Sequence, residues 1–406
     1  MITDTDALAE ACRGFAGEPY VAVDTEFMRE STYWPRLCLV QVGGAAETVL
    51  IDPLADGIDL APLFALMADT NIIKVLHAAR QDLEIFLHLA GVLPTPLYDT
   101  QVAAMVCGFG DQVAYDALVT KLTGKTIDKG SRFTDWSLRP LSDNQLSYAA
   151  ADVIHLRPVY EKLLARIGRT GREAWVRQEM DRLTEPSLYL VDPAEAWRRL
   201  KLRNPKPQFL NVLRELAAFR EVEARGRDVP RNRLVRDEAL VEIASRHPET
   251  VADLARTRGV SQGLASGAIG RGLIEAVQRG LKVPTKEAPK LEPRPKLPEG
   301  TGAAVDLLKV LLRLRCEAHG VAAKLVATVD DLEQIAAFGE AAETDALTGW
   351  RGELFGADAL RLVRGELALS FRNQKIVATA ADAGAGDGAE AGVRPPDPRR
   401  SDEARP

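Results

Sequence analysis

No run of apolar residues in this chain approaches the ~18–20 that a membrane-spanning helix needs, which excludes helical membrane insertion. Cysteine is scarce: Cys12, Cys38, Cys107 and Cys316 are scattered, with no C-x-x-C pair. Only five histidines accompany them, so the clustered thiolates or imidazoles of a zinc site are missing. The cysteines are expected to fill apolar niches in a reducing compartment. A basic stretch before an apolar core, as a secretory signal would have, is also lacking, because MITDTDALAEACRGF carries acids there. A cytoplasmic protein is expected.

What is present is enough apolar residue, 46% of 406, for two or three packed domains. The net charge of −6 is unevenly spread. Residues 1–195 hold 17 basic against 28 acidic side chains, residues 196–282 hold 18 against 10, and residues 301–406 hold 13 against 17. A basic segment between acidic ones suggests that one part grips phosphates while its neighbour holds cations.

Pattern divides the chain in the same places. PYVAVDTEF, RLCLVQVG and ETVLIDP read as three successive strands of a meander, IIKVLHA as a fourth, and APLFALMAD and QDLEIFLHLAG as helices, the latter stopped by Gly91. Helical spacing follows in TQVAAMVCGF, DQVAYDALVTKLTG and NQLSYAAADVIHLRPVYEKLLARI. This predicts an α/β domain with a mixed sheet and a connecting helix over residues 1–195. Strand signals then vanish. FLNVLRELAAFREVEAR, DEALVEIASRHP, TVADLART and SGAIGRGLIEAVQRGL predict an all-α domain over 196–285. Residues 286–300, rich in proline and charge, read as an exposed linker. A second all-α domain is expected over 301–378, as a degenerate repeat of the first, and a disordered tail over 379–406.

Four carboxylates in this frame converge. Asp24 and Glu26 alternate at the end of the first strand and share one face of the sheet. Asp82 opens the helix that follows the fourth strand, at the same edge of the sheet. Tyr148 and Asp152, four apart on one helix, share a face, with Ala149, Ala150 and Ala151 between them permitting close packing. An all-oxygen set of this kind suits Mg²⁺ or Mn²⁺. Two such ions clamp the attacking and leaving oxygens of an in-line displacement at phosphorus. Asp24 is the natural bridging ligand, with Glu26 and Asp152 completing one site and Asp82 supporting the other. Tyr148, with an ordinary pKa near 10, is expected to orient the attacking water by hydrogen bonding. In KGSRFTDWSLR, just before this helix, Lys129, Arg132, Trp136 and Arg139 are expected to meet terminal nucleotides through phosphate pairing and stacking. Arg225, Arg227, Arg231 and Arg233, in the basic segment, are expected to contact phosphates.

The segments VAVDTEF, VLHAARQDLEIF and YAAADVIHL resemble the three motifs of the DEDD exonuclease superfamily, in its tyrosine-bearing subgroup and most closely the ribonuclease D family. The other subgroup has a histidine five residues before the last aspartate, where this chain has Ser147. The likeness covers roughly residues 15–170 and extends to STYWPRLCLVQVG, YDTQVAAMV and TDWSLRPLS. It implies an RNase H-like fold, two divalent metals at Asp24, Glu26, Asp82 and Asp152, and removal of 3′-terminal nucleotides from RNA as 5′-monophosphates, with transfer-RNA precursors as substrate. The helical unit near 205–285 resembles an HRDC domain, and the one near 301–378 a diverged copy. A 3′-5′ DNA exonuclease and a non-catalytic RNA-binding protein are the competing readings.

Overall fold

Strands form where Val, Ile, Leu and aromatic residues gather between turns. β1 (Tyr20–Met28), β2 (Arg36–Gly43) and β3 (Thr48–Ile51) make the antiparallel meander. β4 (Ile73–Leu76) and β5 (Leu97–Asp99) join on the other side of β1, running parallel to it, in the order β3-β2-β1-β4-β5. The mixed sheet is as expected from the sequence, although the three-residue β5 is too short to show a pattern. The computed structural model describes residues 1–381 except 128–129, 132–133, 203–204 and 291–296.

Helices α1 (Thr5–Phe15), α2 (Ala61–Ala68), α3 (Arg80–Ala90), α4 (Thr100–Val106), α5 (Tyr115–Thr123), α6 (Asp143–Thr170) and α7 (Glu173–Leu183) complete this part of the chain. α3 ends at Gly91, whose φ of 72° is the left-handed cap that glycine permits. α6 starts from a capping box of Ser142 and Gln145 and lies across β1, β2 and β3. Gly43 allows that contact, because a side chain there would come within 3.2 Å of Val153.

The helical segment follows with α8 (Pro207–Gly226), α9 (Arg231–Leu234), α10 (Asp237–Arg246), α11 (Val251–Ala255), α12 (Gln262–Ser266) and α13 (Ala268–Lys282). Its core joins Leu213 and Leu216 of α8 to Leu240, Leu273 and Val277. Trp197, from the 3₁₀ segment Pro193–Arg199, is fully buried in the same cluster. Close crossing of α8 and α13 needs Gly280, where a Cβ would lie 2.5 Å from the Val212 Cα.

The described residues fall into two compact units, one within Met1–Pro295 and Gly320–Ala322, the other within Lys296–His319 and Ala323–Pro406. The second unit holds helices Thr301–His319, Val329–Phe338 and Ala357–Val363, but it is not all-α as expected. LALSFRNQKIVATA folds as a hairpin of β6 (Leu367–Arg372) and β7 (Lys375–Ala380). Gly365, at φ 75°, follows the last helix, and Asn373 and Gln374 both take positive φ, the backbone of a two-residue hairpin turn. Strand β7 therefore occupies the first residues of the expected tail; residues 382–406 lie outside the described part. No helix among the described residues is long and apolar enough to cross a membrane.

Within the first unit, the loop after β1 is fastened to α8 and α9. Glu221, 1% exposed, accepts hydrogen bonds from the Tyr33 hydroxyl and from Arg231, and pairs with Arg225 at 3.2 Å. Asp228 accepts from the backbone N–H groups of Tyr33 and Trp34, both at 3.0 Å. Burial alone would raise the Glu221 pKa. The hydrogen bonds from Arg231 and Tyr33 and the charges of Arg231 and Arg225 outweigh burial and hold it at about 2, against an ordinary 4.5. A depressed carboxylate contributes stability that is complete above about pH 4.5 and is lost as pH falls toward 2. Replacing Glu221 by Gln strands two arginines and is expected to cost ~3 kcal/mol at pH 7. Calorimetric melting from pH 7 to pH 3 checks this: the variant should melt lower and lose less stability on acidification, and parallel profiles would show that the buried pair has no part in acid sensitivity.

Candidate active site

Strand alternation turns Asp24 and Glu26 toward α6, since Ala22 on the same face pairs with Gly43, against which Val153 packs. The register slips between Glu26 and Phe27, a bulge just beyond the second acid. Tyr148 and Asp152 come down from α6, one turn apart. One carboxylate oxygen from each of Asp24, Glu26 and Asp152 lies within 4.8 Å of the others. Asp82, in the first turn of α3 and 7% exposed, lines the same cleft but stands outside that triplet. Thr25, which points away from the two acids flanking it, donates its hydroxyl to Asp82. The cleft has a volume of about 420 Å³ and is also lined by His77, Gln101, Tyr115 and Tyr148.

Two further residues, absent from the sequence reading, hold this geometry. Asp99, at the end of β5, is 2% exposed and accepts from the N–H groups of Ala78 and Ala79 at 3.1 and 2.8 Å. It also caps α4 through Gln101 and Val102. Ala78 takes a φ of 57°, and this carboxylate pins the turn that launches α3 and so sets the position of Asp82. An acid directly before TQVAAMV is a cap signal that sequence alone offers. Tyr115 donates its hydroxyl to the main-chain carbonyl of Asp152, and nothing in its sequence neighbourhood announces this.

The acids do not tolerate one another without cost. Burial, and after it the charges of Asp152, Asp82 and Glu26, push the Asp24 pKa well above the ordinary carboxylate value. Burial lifts Asp82 to about 7 against the opposing hydrogen bond from Thr25. Burial, then the charges of Asp152, Glu26 and Asp24, drive the Tyr148 phenol upward, so it is a neutral donor that hydrogen-bonds the Asp152 carboxylate. A donor set made wholly of carboxylate oxygen, with repulsion that only positive charge relieves, fits a hard divalent cation.

The structure thus brings Asp24, Glu26, Asp82, Tyr148 and Asp152 to one cleft. It disposes differently of the residues expected to touch nucleic acid. Trp136 is 2% exposed, buried with Cys38, Leu39, Leu141 and Ala149, and its ring lies 6.1 Å from that of Tyr148. It walls the tyrosine and offers no stacking face. Arg139 directs all five N–H donors inward, to both Asp52 oxygens and to the carbonyls of Cys38, Trp136 and Leu138 at 2.6–2.9 Å. No donor is left for phosphate. Arg225 and Arg231 are engaged with Glu221 and Tyr33. Arg227 is exposed and pairs with Glu223 at 2.7 Å; Arg233 is exposed, 3.4 Å from the Glu30 carbonyl. Lys129 and Arg132 lie outside the described residues.

The Tyr115 hydrogen bond is testable by metal binding. Groups behind a ligand typically contribute about 10-fold or more to affinity. In Tyr115→Phe, calorimetric titration with Mn²⁺ is expected to show affinity lowered roughly 10-fold; an unchanged isotherm would show that this hydroxyl does not set the position of Asp152.

Comparison with known proteins accords with this geometry. A 3′-5′ exonuclease family model matches residues 1–167, and an HRDC domain model matches residues 209–277. Ribonuclease D of Jannaschia sp. is 51% identical over 381 residues, covering 92% of this chain and 98% of that protein. Ribonuclease D of Nitrobacter hamburgensis is 50% identical over 93% of this chain and 98% of its own length. Among solved structures, Escherichia coli RNase D, described as an exoribonuclease involved in structured RNA processing, superposes with a TM-score of 0.73 at 34% identity, over 89% of this chain and 97% of that one. With half its residues shared along nearly the full length of such relatives, an RNase H-like exonuclease fold and an HRDC domain behind it, the chain belongs to the ribonuclease D family of 3′-5′ exoribonucleases.

Proposed function

We propose that this cleft removes the 3′-terminal nucleotide of RNA as a 5′-monophosphate, with Asp24, Glu26, Asp82 and Asp152 as ligands of two divalent ions, Mg²⁺ or Mn²⁺. The observation that carries the reading is the meeting of three carboxylates within 4.8 Å beside a phenol held neutral by burial and by their charge. When bound, such ions lower the pKa of an attacking water and take up charge on the leaving oxygen.

The protein's own groups supply the rest. Asp24 feels the charges of Glu26, Asp82 and Asp152 alike, which makes it the central ligand of the set. Asp82, held by Thr25, adds a fourth carboxylate to the same cleft from α3. Tyr148 keeps its proton and orients the attacking water at its hydroxyl, buttressed from behind by Trp136. Transfer-RNA precursors are the proposed substrate. The likeness to an enzyme of structured RNA processing and the basic balance of residues 196–282 support this. The four free cysteines agree with a reducing cytoplasm.

Digestion of a 3′-extended transfer-RNA precursor, followed by product length, tests the proposal, with a matched DNA strand as the control for sugar type. Activity is expected to vanish in EDTA, return with Mg²⁺ or Mn²⁺, and fall by at least ~10³-fold in Asp24→Asn. Undiminished cleavage in chelator would end the metal reading. For Tyr148→Phe, kcat is expected to drop roughly 10²–10⁴-fold with KM little changed, because the lost hydrogen bond matters mainly in the transition state. Equal kcat values would reduce the phenol to a packing group.

A further inference from the structure

The loop that leaves β1 and the helical segment enclose a second cleft, of opposite sign to the first. Two adjoining cavities of about 350 and 160 Å³ share Arg29, Tyr33, Arg199 and Arg231. Arg220, Glu221 and Asp237 line the larger, Arg80 and Glu84 the smaller. Three of these five arginines are matched by acids. Arg29 holds Glu84 through two hydrogen bonds of 2.7 and 3.0 Å, Arg220 meets Asp237 at 2.7 Å, and Arg231 holds Glu221. Arg80 and Arg199 make no ion pair or hydrogen bond among the described residues, and both are exposed. The lining charges therefore cancel except for two guanidinium groups.

The cleft is contiguous with the carboxylates along the chain. Arg80 begins α3, two residues before Asp82. Arg29 is three residues past Glu26, about 10 Å of extended chain. A strand with its 3′ end among the carboxylates would leave them beside Arg80, which opens the same helix as Asp82. Unpaired guanidinium groups fit phosphate oxygens.

We propose that Arg80 and Arg199 form a phosphate-binding subsite for the RNA backbone upstream of the 3′ end, an assignment that rests on the exoribonuclease reading above. The subsite gives the enzyme a grip on RNA that is independent of base sequence and is built from both the catalytic and the helical parts of the first unit. It replaces Arg225 and Arg231, whose guanidinium groups hold the junction together.

The test is binding of a single-stranded RNA dodecamer and dinucleotide to the full-length protein in EDTA, by fluorescence anisotropy across a salt series. In Arg80→Gln/Arg199→Gln, dodecamer affinity is expected to fall roughly 10-fold or more and the slope of log K against log salt to flatten by about 1.4, 0.7 for each contact. The penalty on the dinucleotide should be under about 2-fold, because its single phosphodiester stays at the carboxylates and does not reach the subsite. Arg80→Lys/Arg199→Lys, which keeps the charge, should recover most of the slope. An unchanged dodecamer slope in the Gln pair overturns the subsite. So does an equal loss on both lengths, or inorganic phosphate displacing RNA from the unsubstituted protein regardless of length, which would make the cleft a site for free phosphate. Hydrolysis of the dodecamer by unsubstituted protein with Mn²⁺ is followed in parallel: if it fails, the exoribonuclease reading falls, and if it proceeds while the slopes are equal, only the subsite does.

Discussion

Like charges held together away from water are the constraint on which this protein is built. Asp24, Glu26 and Asp152 present oxygens within 4.8 Å of each other, with Asp82 in the same cleft. Nothing in folding alone favours that arrangement: burial and mutual repulsion both raise the Asp24 pKa. It persists because each acid is fixed by an element that packs for other reasons. β1 is central in the sheet, with Val21, Ala22 and Val23 fully buried. α6 is anchored by Val153, Leu156 and Val159. α3 is set by its own turn on Asp99. The apolar core supplies the stability that holds these carboxylates together.

Neutral hydroxyl groups stand behind these acids. Thr25 donates to Asp82, Tyr115 to the Asp152 carbonyl, and Tyr148 bonds the Asp152 carboxylate. Each orients its partner without adding charge, so the cluster keeps its demand for a cation. Trp136 closes the far side of Tyr148 with apolar surface.

Arginine serves two purposes in the first unit, and neighbours decide which. Arg139, Arg225 and Arg231 tie together segments far apart in sequence, through Asp52, Glu221 and Tyr33. Arg80 and Arg199 form no ion pair among the described residues. The basic balance of residues 196–282 is thus partly internal, and its formal charge overstates what phosphate can reach.

Sequence by itself determined what depends on local periodicity. Alternation set Asp24 and Glu26 on one face, the four-residue interval set Tyr148 over Asp152, and the strand-to-helix step brought Asp82 to the same edge, because side-chain direction follows backbone period. The order of strand and helix patterns likewise determined the mixed sheet and the helical segment behind it. Only the tertiary structure decided which polar groups remain free, because pairing depends on neighbours that sequence distance does not constrain. Arg139 finds Asp52 across 87 positions, and Tyr33 finds Glu221 across 188. The burial of Trp136, the carboxylate of Asp99 beneath the turn before α3, and the two arginines left without acids are outcomes of that three-dimensional pairing. The hairpin after Gly365 falls between these cases: its strands alternate too briefly to outweigh the helical pattern before them, and two consecutive left-handed residues at Asn373 and Gln374 became evident only once the chain had turned.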